Sequence, residues 1–305
     1  LKVRGTREPA GAAWIEGEIV PIAEACIPLT DTGFTRSDLT YDVVSVWEGS
    51  FFRLDQHLAR FERGCRKLRL DMGGLTQDEL GAILHDLVAR TGLRESYVSM
   101  TCTRGVPPAG SRDPRTFKNR LYLYAIPFVW LLKWEERDAG MPAILAKTVE
   151  RISPRAVDPT VKNFHWGDLT ASLFEAYDAG ARFSVLLGAD GYVTEGPGYN
   201  VFCWVDGELL TPDAGALEGI TRKTVMEIAR ENGIPVRETK IDEATFRRAD
   251  ELFSCTTAGG VMAITSLDGQ PLGDGTAGPL TRRLRDLFWA AHRDPRYSTP
   301  IRYGA

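Results

Sequence analysis

Apolar and polar positions alternate or recur with clear periods along most of the chain. Residues 39–46 (LTYDVVSV) carry the β-branched and aromatic side chains of a strand. Glu48-Gly49 supplies a turn, and 50–54 can return as the second strand of a hairpin. Leu58, Phe61, Cys65 and Leu68 then fall on one face at helical spacing, with Asp55 as the expected N-cap. A second helix has sharper punctuation. Thr76 and Glu79 fit a capping box, Leu80, Ile83, Leu84 and Leu87 form the stripe, and Gly92 ends it. Runs at 97–103 and 120–127 read as strands around a loop, 105–119, rich in Pro, Gly, Arg and Ser and expected to be mobile. Residues 1–20 read as a polar arm docked by Trp14.

The stretch 128–141 reads as a linker between a small α+β domain, 1–127, and a larger domain, 142–305. The second part opens with a strand at 143–148. A helix at 169–178 and strands at 183–187, 200–205 and 208–210 follow. A helix starts at Thr221 and stops before Gly233. Strands near Val236, Leu252 and Val261 precede a last helix over 279–292. Helices and strands that do not alternate strictly predict an α+β fold rather than a doubly wound sheet.

A chain of 305 residues is long enough for two domains. Lysine and arginine number 37 against 41 acids, a net charge of −4, which argues against a nucleic-acid binder. The first residues show no apolar leader region, and no run approaches the ~18 apolar residues of a membrane span. The most apolar patch, Phe128-Val129-Trp130-Leu131-Leu132, ends at Lys133. The five cysteines are scattered and form no CxxC pair, so neither a metal site nor a disulfide framework is expected. A cytoplasmic enzyme is the expectation.

The candidate chemistry centres on Lys162, between a Pro-containing turn and the aromatic start of a helix. Val161 and Phe164 flank it with apolar surface, and burial favours the neutral amine that Schiff-base chemistry needs. An ordinary partly buried lysine fits the same stretch. Four further stretches join it. In 217–222 (LEGITR) a glycine precedes a Thr-capped helix, so the amides of Ile220 and Thr221 would face an anion. In 255–260 (CTTAGG) the Thr256 and Thr257 hydroxyls and two glycines follow a strand. Glu195, before Gly196-Pro197-Gly198, could pair with a protonated ring nitrogen or stand in solvent as a turn residue. Arg60 lies off the Leu58/Phe61 stripe, as a phosphate clamp or as a surface arginine.

These stretches together resemble the fold-type IV pyridoxal-phosphate aminotransferases, which include branched-chain, D-amino-acid and (R)-selective amine transaminases. The resemblance is carried by 41–61 (YDVVSVWEGSFFRLDQHLARF), 158–169 (DPTVKNFHWGDL), 193–200 (VTEGPGYN), 217–223 (LEGITRK) and 250–265 (DELFSCTTAGGVMAIT). It covers nearly the whole chain, and 44–57, 158–169 and CTTAGG are most similar to the (R)-selective amine group. It implies a two-domain α+β fold of the D-amino-acid/branched-chain aminotransferase type, with the larger domain binding pyridoxal 5'-phosphate. Lys162 would hold the cofactor as an internal aldimine and move the proton to and from the substrate Cα. Glu195 would hold the pyridine nitrogen protonated. Arg60, the amides of Ile220 and Thr221, and Thr257 would hold the phosphate, and Leu217 would pack on the ring. Tyr41, Val43, Tyr97, Trp166, Thr256 and Ala258 would line the substrate pockets. A homodimer with its active site near the domain and subunit interface is implied. So is a ping-pong transfer between an (R)-primary amine or D-amino acid and a 2-oxo acid such as pyruvate, through a pyridoxamine intermediate. A branched-chain enzyme and a 4-amino-4-deoxychorismate lyase are the alternatives on the same fold.

Three departures bear on substrate. Arg36 stands where the amine transaminases often carry histidine, and Ser99 where they usually carry glutamate. The loop that supplies their carboxylate-binding arginine differs in length, which leaves Arg112 and Arg115 as candidates. Arg36 could bind a substrate carboxylate, pair with Asp38, or point to solvent.

Overall fold

The computed structural model describes residues 10–304, which divide into two compact units. One holds the described chain up to Val129 together with Val161–Phe164 and the segment from Asp294 onward. The other holds Trp130–Thr160 and His165–Arg293.

The first unit opens with strands β1 (Ala12–Ile15) and β2 (Glu18–Pro21), an antiparallel pair. Of the polar arm expected over 1–20, residues 1–9 lie outside the described residues, and the remainder is docked by Trp14 as expected but forms paired strands. β1 pairs with a later strand, and Trp14 packs on the core, so one apolar anchor draws a polar segment into the sheet. A short helix not foreseen from the sequence, α1 (Thr32–Arg36), is capped by Asp31. Then come β3 (Leu39–Trp47), β4 (Ser50–Phe52), α2 (Leu54–Lys67), α3 (Gln77–Thr91), β5 (Ser96–Thr103) and β6 (Arg120–Pro127). The Thr76/Glu79 capping box is formed and Gly92 closes α3, as expected. Asp55 is not the cap of α2. Arg53 is, in a left-handed conformation (φ 53°), because its N–H is held by the Tyr297 carbonyl at 2.6 Å and the chain turns there. Asp55 sits in the first turn, where its charge meets the positive end of the helix.

β3, β5 and β6 run antiparallel at the centre of this sheet. One face carries Val44, Val46, Val98, Met100 and Leu123 against Leu58, Phe61, Leu80, Leu84 and Leu87 of α2 and α3. Because side chains alternate along a strand, Leu39, Tyr41, Val43 and Tyr97 lie on the other face and cluster separately.

The second unit contains β7 (Met141–Leu145), α4 (Gly167–Asp178), β8 (Phe183–Val185), β9 (Glu195–Gly196), β10 (Tyr199–Val205) and β11 (Glu208–Pro212). It continues with α5 (Ile220–Glu231), β12 (Val236–Thr239), α6 (Glu243–Arg247), β13 (Glu251–Thr256), β14 (Gly260–Leu267), β15 (Gln270–Pro271) and α7 (Pro279–Ala291). Its sheet runs β12-β11-β10-β13-β14-β7-β8 with parallel and antiparallel pairs. The expected strand at 143–148 begins at Met141 and ends at Leu145, and α6 was not foreseen. The chain then returns to the first unit as β16 (Ser298–Pro300), which pairs with β4. Among the described residues no helix is long and apolar enough to cross a membrane.

Candidate active site

In the first unit Lys162 is held by its backbone. Its carbonyl accepts from Tyr41 N at 3.1 Å and from Thr40 Oγ1 at 2.8 Å, which fastens the Val161–Phe164 segment to β3. The amine stands 4.6 Å from the centre of the Tyr41 ring. Val161 is buried, whereas Phe164 is 44% exposed and tilts over Tyr41 at 4.5 Å. Only one of the two expected apolar flanks is therefore enclosed. Tyr41 and Val43 share a sheet face with Tyr97 and Ser99, and Ser99 is opposite Tyr124 on β6. Burial pushes the Tyr97 and Tyr124 hydroxyls up, so both stay protonated hydrogen-bond donors.

On the opposite side of β3, Arg60 is buried and is not a surface residue. Its Nε and Nη2 donate to the two Asp42 oxygens at 2.7 and 2.8 Å, and His57 Nδ1 lies 2.8 Å from Asp42 Oδ1. Burial would raise the Asp42 carboxyl, but the Arg60 charge and hydrogen bonds, with His57, hold it far below the usual carboxylate range. Burial pulls His57 below its ordinary 6.5 despite the Asp42 hydrogen bond, and Arg60 and Lys162 push the same way.

The sign for stability follows. The unfolded chain binds a proton at His57 that the folded chain resists, so this contribution is complete above about pH 6.5 and is lost as pH falls toward the folded value. The Asp42 contribution is lost only in stronger acid. The melting temperature should therefore drop between pH 7 and 5, and less steeply in His57→Asn. An unchanged slope in that variant, measured by calorimetry, would assign the acid sensitivity elsewhere.

In the second unit sheet register gathers three of the candidate stretches. Glu195 on β9 is opposite Asn200 on β10, and Asn200 is opposite Cys255 on β13. Asn200 Nδ2 donates to the Leu217 carbonyl at 2.8 Å, and Leu217 N–H donates to Glu195 Oε2 at 3.0 Å. Glu195 is buried, which removes the reading of it as a solvent-facing turn residue. Arg151 donates from Nε to Glu195 Oε1 at 3.1 Å and from Nη1 to Asp168 Oδ2 at 2.6 Å. Burial would lower the Arg151 guanidinium, but the two carboxylates outweigh it and raise it. Trp166 leads into α4, with its ring edge where a side chain at Gly198 would go, and Thr256 Oγ1 donates to the Gly198 carbonyl at 2.8 Å. Ala258, in the β13–β14 turn, accepts from Leu131 N–H at 2.9 Å.

Thr221 does not cap α5. Gly219 does, and a side chain there would collide with Asn200 Oδ1, so only glycine lets the helix begin this close to β10. Ile220 and Thr221 are the first two helical residues, whose N–H groups have no carbonyl within the helix to bond. With the Thr257 hydroxyl they are the donor type that a phosphate monoester requires. Within the second unit, the buried Glu195 carboxylate and a helix N-terminus stripped to glycine are acceptor and donor types that fit the ring nitrogen and phosphate of pyridoxal phosphate. Among the described residues no group of three or more His, Cys, Asp or Glu is placed to hold a metal ion.

The substrate arginines separate. Arg36 is exposed at the end of α1, and its expected partner Asp38 is taken bidentately by Arg104 at 3.1 Å, so the Arg36–Asp38 pair is not made. Arg115 is exposed and bonded to Asp113, whereas Arg112 is exposed in the loop. Sequence reasoning missed Asp42, Arg151 and Asp168. An acid inside the apolar run 39–46 signalled the first, since a charge is buried only with partners. Arg151 lies 17 and 44 residues from its two partners, and no local pattern marks it.

Residues 39–267 match the family model of the class IV amino-transferases, well over half of the chain. The chain belongs to that family: it is a pyridoxal-phosphate-dependent aminotransferase of fold-type IV. It is 28% identical over 277 residues to a putative branched-chain-amino-acid aminotransferase of Methanocaldococcus jannaschii, covering 90% of this chain and 94% of that one. It is likewise 28% identical over 277 residues to a D-alanine aminotransferase of Staphylococcus haemolyticus, covering 90% and 95%. The crystal structure of the Thermobaculum terrenum branched-chain amino acid aminotransferase in its pyridoxal-phosphate form superposes with a TM-score of 0.86. Identity there is 28%, over 97% of this chain and 100% of that one.

Proposed function

We propose that this enzyme moves an amino group between an (R)-primary amine or D-amino acid and a 2-oxo acid such as pyruvate, acting as a homodimer. The observation that carries the reading is the sheet face bearing Tyr41, Val43, Tyr97, Ser99 and Tyr124. None of these five residue types carries a permanent charge, and burial pushes the Tyr97 and Tyr124 hydroxyls up, away from ionisation. Such a face suits an apolar amine substituent, and its hydroxyls can still bond a carboxylate.

Bound pyridoxal phosphate supplies a ring that withdraws the electrons of the substrate Cα–H bond. Lys162 would hold the cofactor and would carry the proton at the substrate Cα. Glu195, which accepts from Arg151 and the Leu217 N–H, would hold a proton on the ring nitrogen. Ile220 and Thr221 N–H, Thr257 and Arg60 bind the phosphate. Leu217 backs the ring, and Trp166, Thr256 and Ala258 shape the substrate side. Arg36 and Arg112 are the candidates for a mobile carboxylate ligand.

The similarity to branched-chain aminotransferases supports a second reading, use of L-branched-chain amino acids. Donors added without acceptor to the cofactor-loaded enzyme separate the two. Conversion of the cofactor absorption to that of its pyridoxamine form by (R)-1-phenylethylamine or D-alanine is the expected result. Conversion by L-leucine alone would sink the proposal in favour of the second reading.

A further inference from the structure

We propose that Asp42 is a positioning residue for the cofactor phosphate, fixing the Arg60 guanidinium at a set distance from the Lys162 backbone. The inference rests on Arg60 being a phosphate ligand, as proposed above.

Asp42 is fully buried at the middle of β3. Its carboxylate is itself immobilised: Oδ1 accepts from Val43 N–H at 2.7 Å and lies 2.8 Å from His57 Nδ1. Against this fixed group the Nε–Nη2 edge of Arg60 closes as a two-pronged fork, at 2.7 and 2.8 Å. His57, Arg60 and Gly64 recur along one face of α2, three and four residues apart. At Gly64 a side chain would meet Thr40 Oγ1 at 2.7 Å, so glycine brings the helix down onto the strand until both His57 and Arg60 reach Asp42.

Three consecutive residues of one strand therefore do linked work. Thr40 and Tyr41 hold the Lys162 carbonyl, and Asp42 holds Arg60. A strand advances roughly 3.3 Å per residue, and β3 is paired along one edge with β5 from Leu39 to Val46. It thus sets the spacing between the covalent anchor and the phosphate anchor. A free arginine would surrender its rotamer freedom on binding; one already clamped by Asp42 does not.

The test compares pyridoxal 5'-phosphate with pyridoxal, which lacks the phosphate, by absorbance titration of the cofactor-free full chain. Asp42→Asn removes the charge, and Asp42→Glu keeps it but displaces it. Both should weaken binding of pyridoxal 5'-phosphate about 10- to 100-fold and leave pyridoxal binding unchanged. Asp42→Asn combined with Arg60→Ala should bind no more weakly than Arg60→Ala alone. Equal weakening toward both ligands would make Asp42 a structural residue and overturn the proposal. So would failure of both Asp42 variants to fold where Arg60→Ala folds. Phosphate preference unchanged in the Asp42 variants but lowered in Arg60→Ala would overturn the positioning role alone. Phosphate preference unchanged in Arg60→Ala would overturn the assignment of Arg60 itself.

Discussion

Lys162→Ala should fold as the parent does and lose transamination by at least about 10⁴-fold, the combined loss of a covalent anchor and a positioned acid–base group. The two effects separate because the lysine serves the fold through its backbone. Its carbonyl, not its side chain, accepts from Thr40 and Tyr41, and alanine keeps that carbonyl. The amine's one described contact is with the Tyr41 ring, and a partly exposed contact of this kind contributes at most about 1 kcal/mol. Thermal melting should therefore shift little while donor-driven conversion of the cofactor, followed by stopped-flow absorbance, disappears. Turnover within tenfold of the parent would remove Lys162 from the mechanism. A collapsed fold would contradict the backbone account.

Arg151→Met carries the largest expected effect on stability. Glu195 and Asp168 are both shielded from solvent and share this one guanidinium, at 3.1 and 2.6 Å. Removing it takes the guanidinium from both carboxylates and leaves them their backbone N–H donors, a loss of about 3–5 kcal/mol. Arg151→Lys should recover only part, because one ammonium cannot span both acids as the fork does. Denaturant unfolding at pH 7 reads the loss directly. Stability equal to the parent would mean that water or rearrangement replaces the guanidinium.

The two stretches about Lys162 and Glu195 show how far linear reasoning reaches. The lysine was found because its neighbours were out of character for an exposed one, and the structure ties it to β3, a contact 121 residues back along the chain. Glu195 was found as an acid before a Gly-Pro-Gly turn, but a solvent-facing turn residue fitted equally well until burial and Arg151 decided it. Thr221 was misjudged as a cap. Local pattern favours a threonine there, and only the approach of Asn200 reveals why glycine takes the place. Arg60 was open between a clamp and a surface residue, because position on a helical face depends on what the helix packs against.

Periods of two and 3.6, capping pairs and glycine stops were legible in the sequence because they are decided within about one turn or one strand of the residues that carry them. They placed β3, α3, β5, β6 and α7 and the α+β class without further information. The edge hairpin β1–β2, the return of β16, the Asp42–Arg60–His57 cluster and the Arg151 bridge depended on sheet register and on helix-to-strand approach. Register joins residues dozens of positions apart, and the energy of a buried charge is set by whichever partner arrives there. The sequence alone singled out the candidate reactive residues, and the tertiary structure chose their partners.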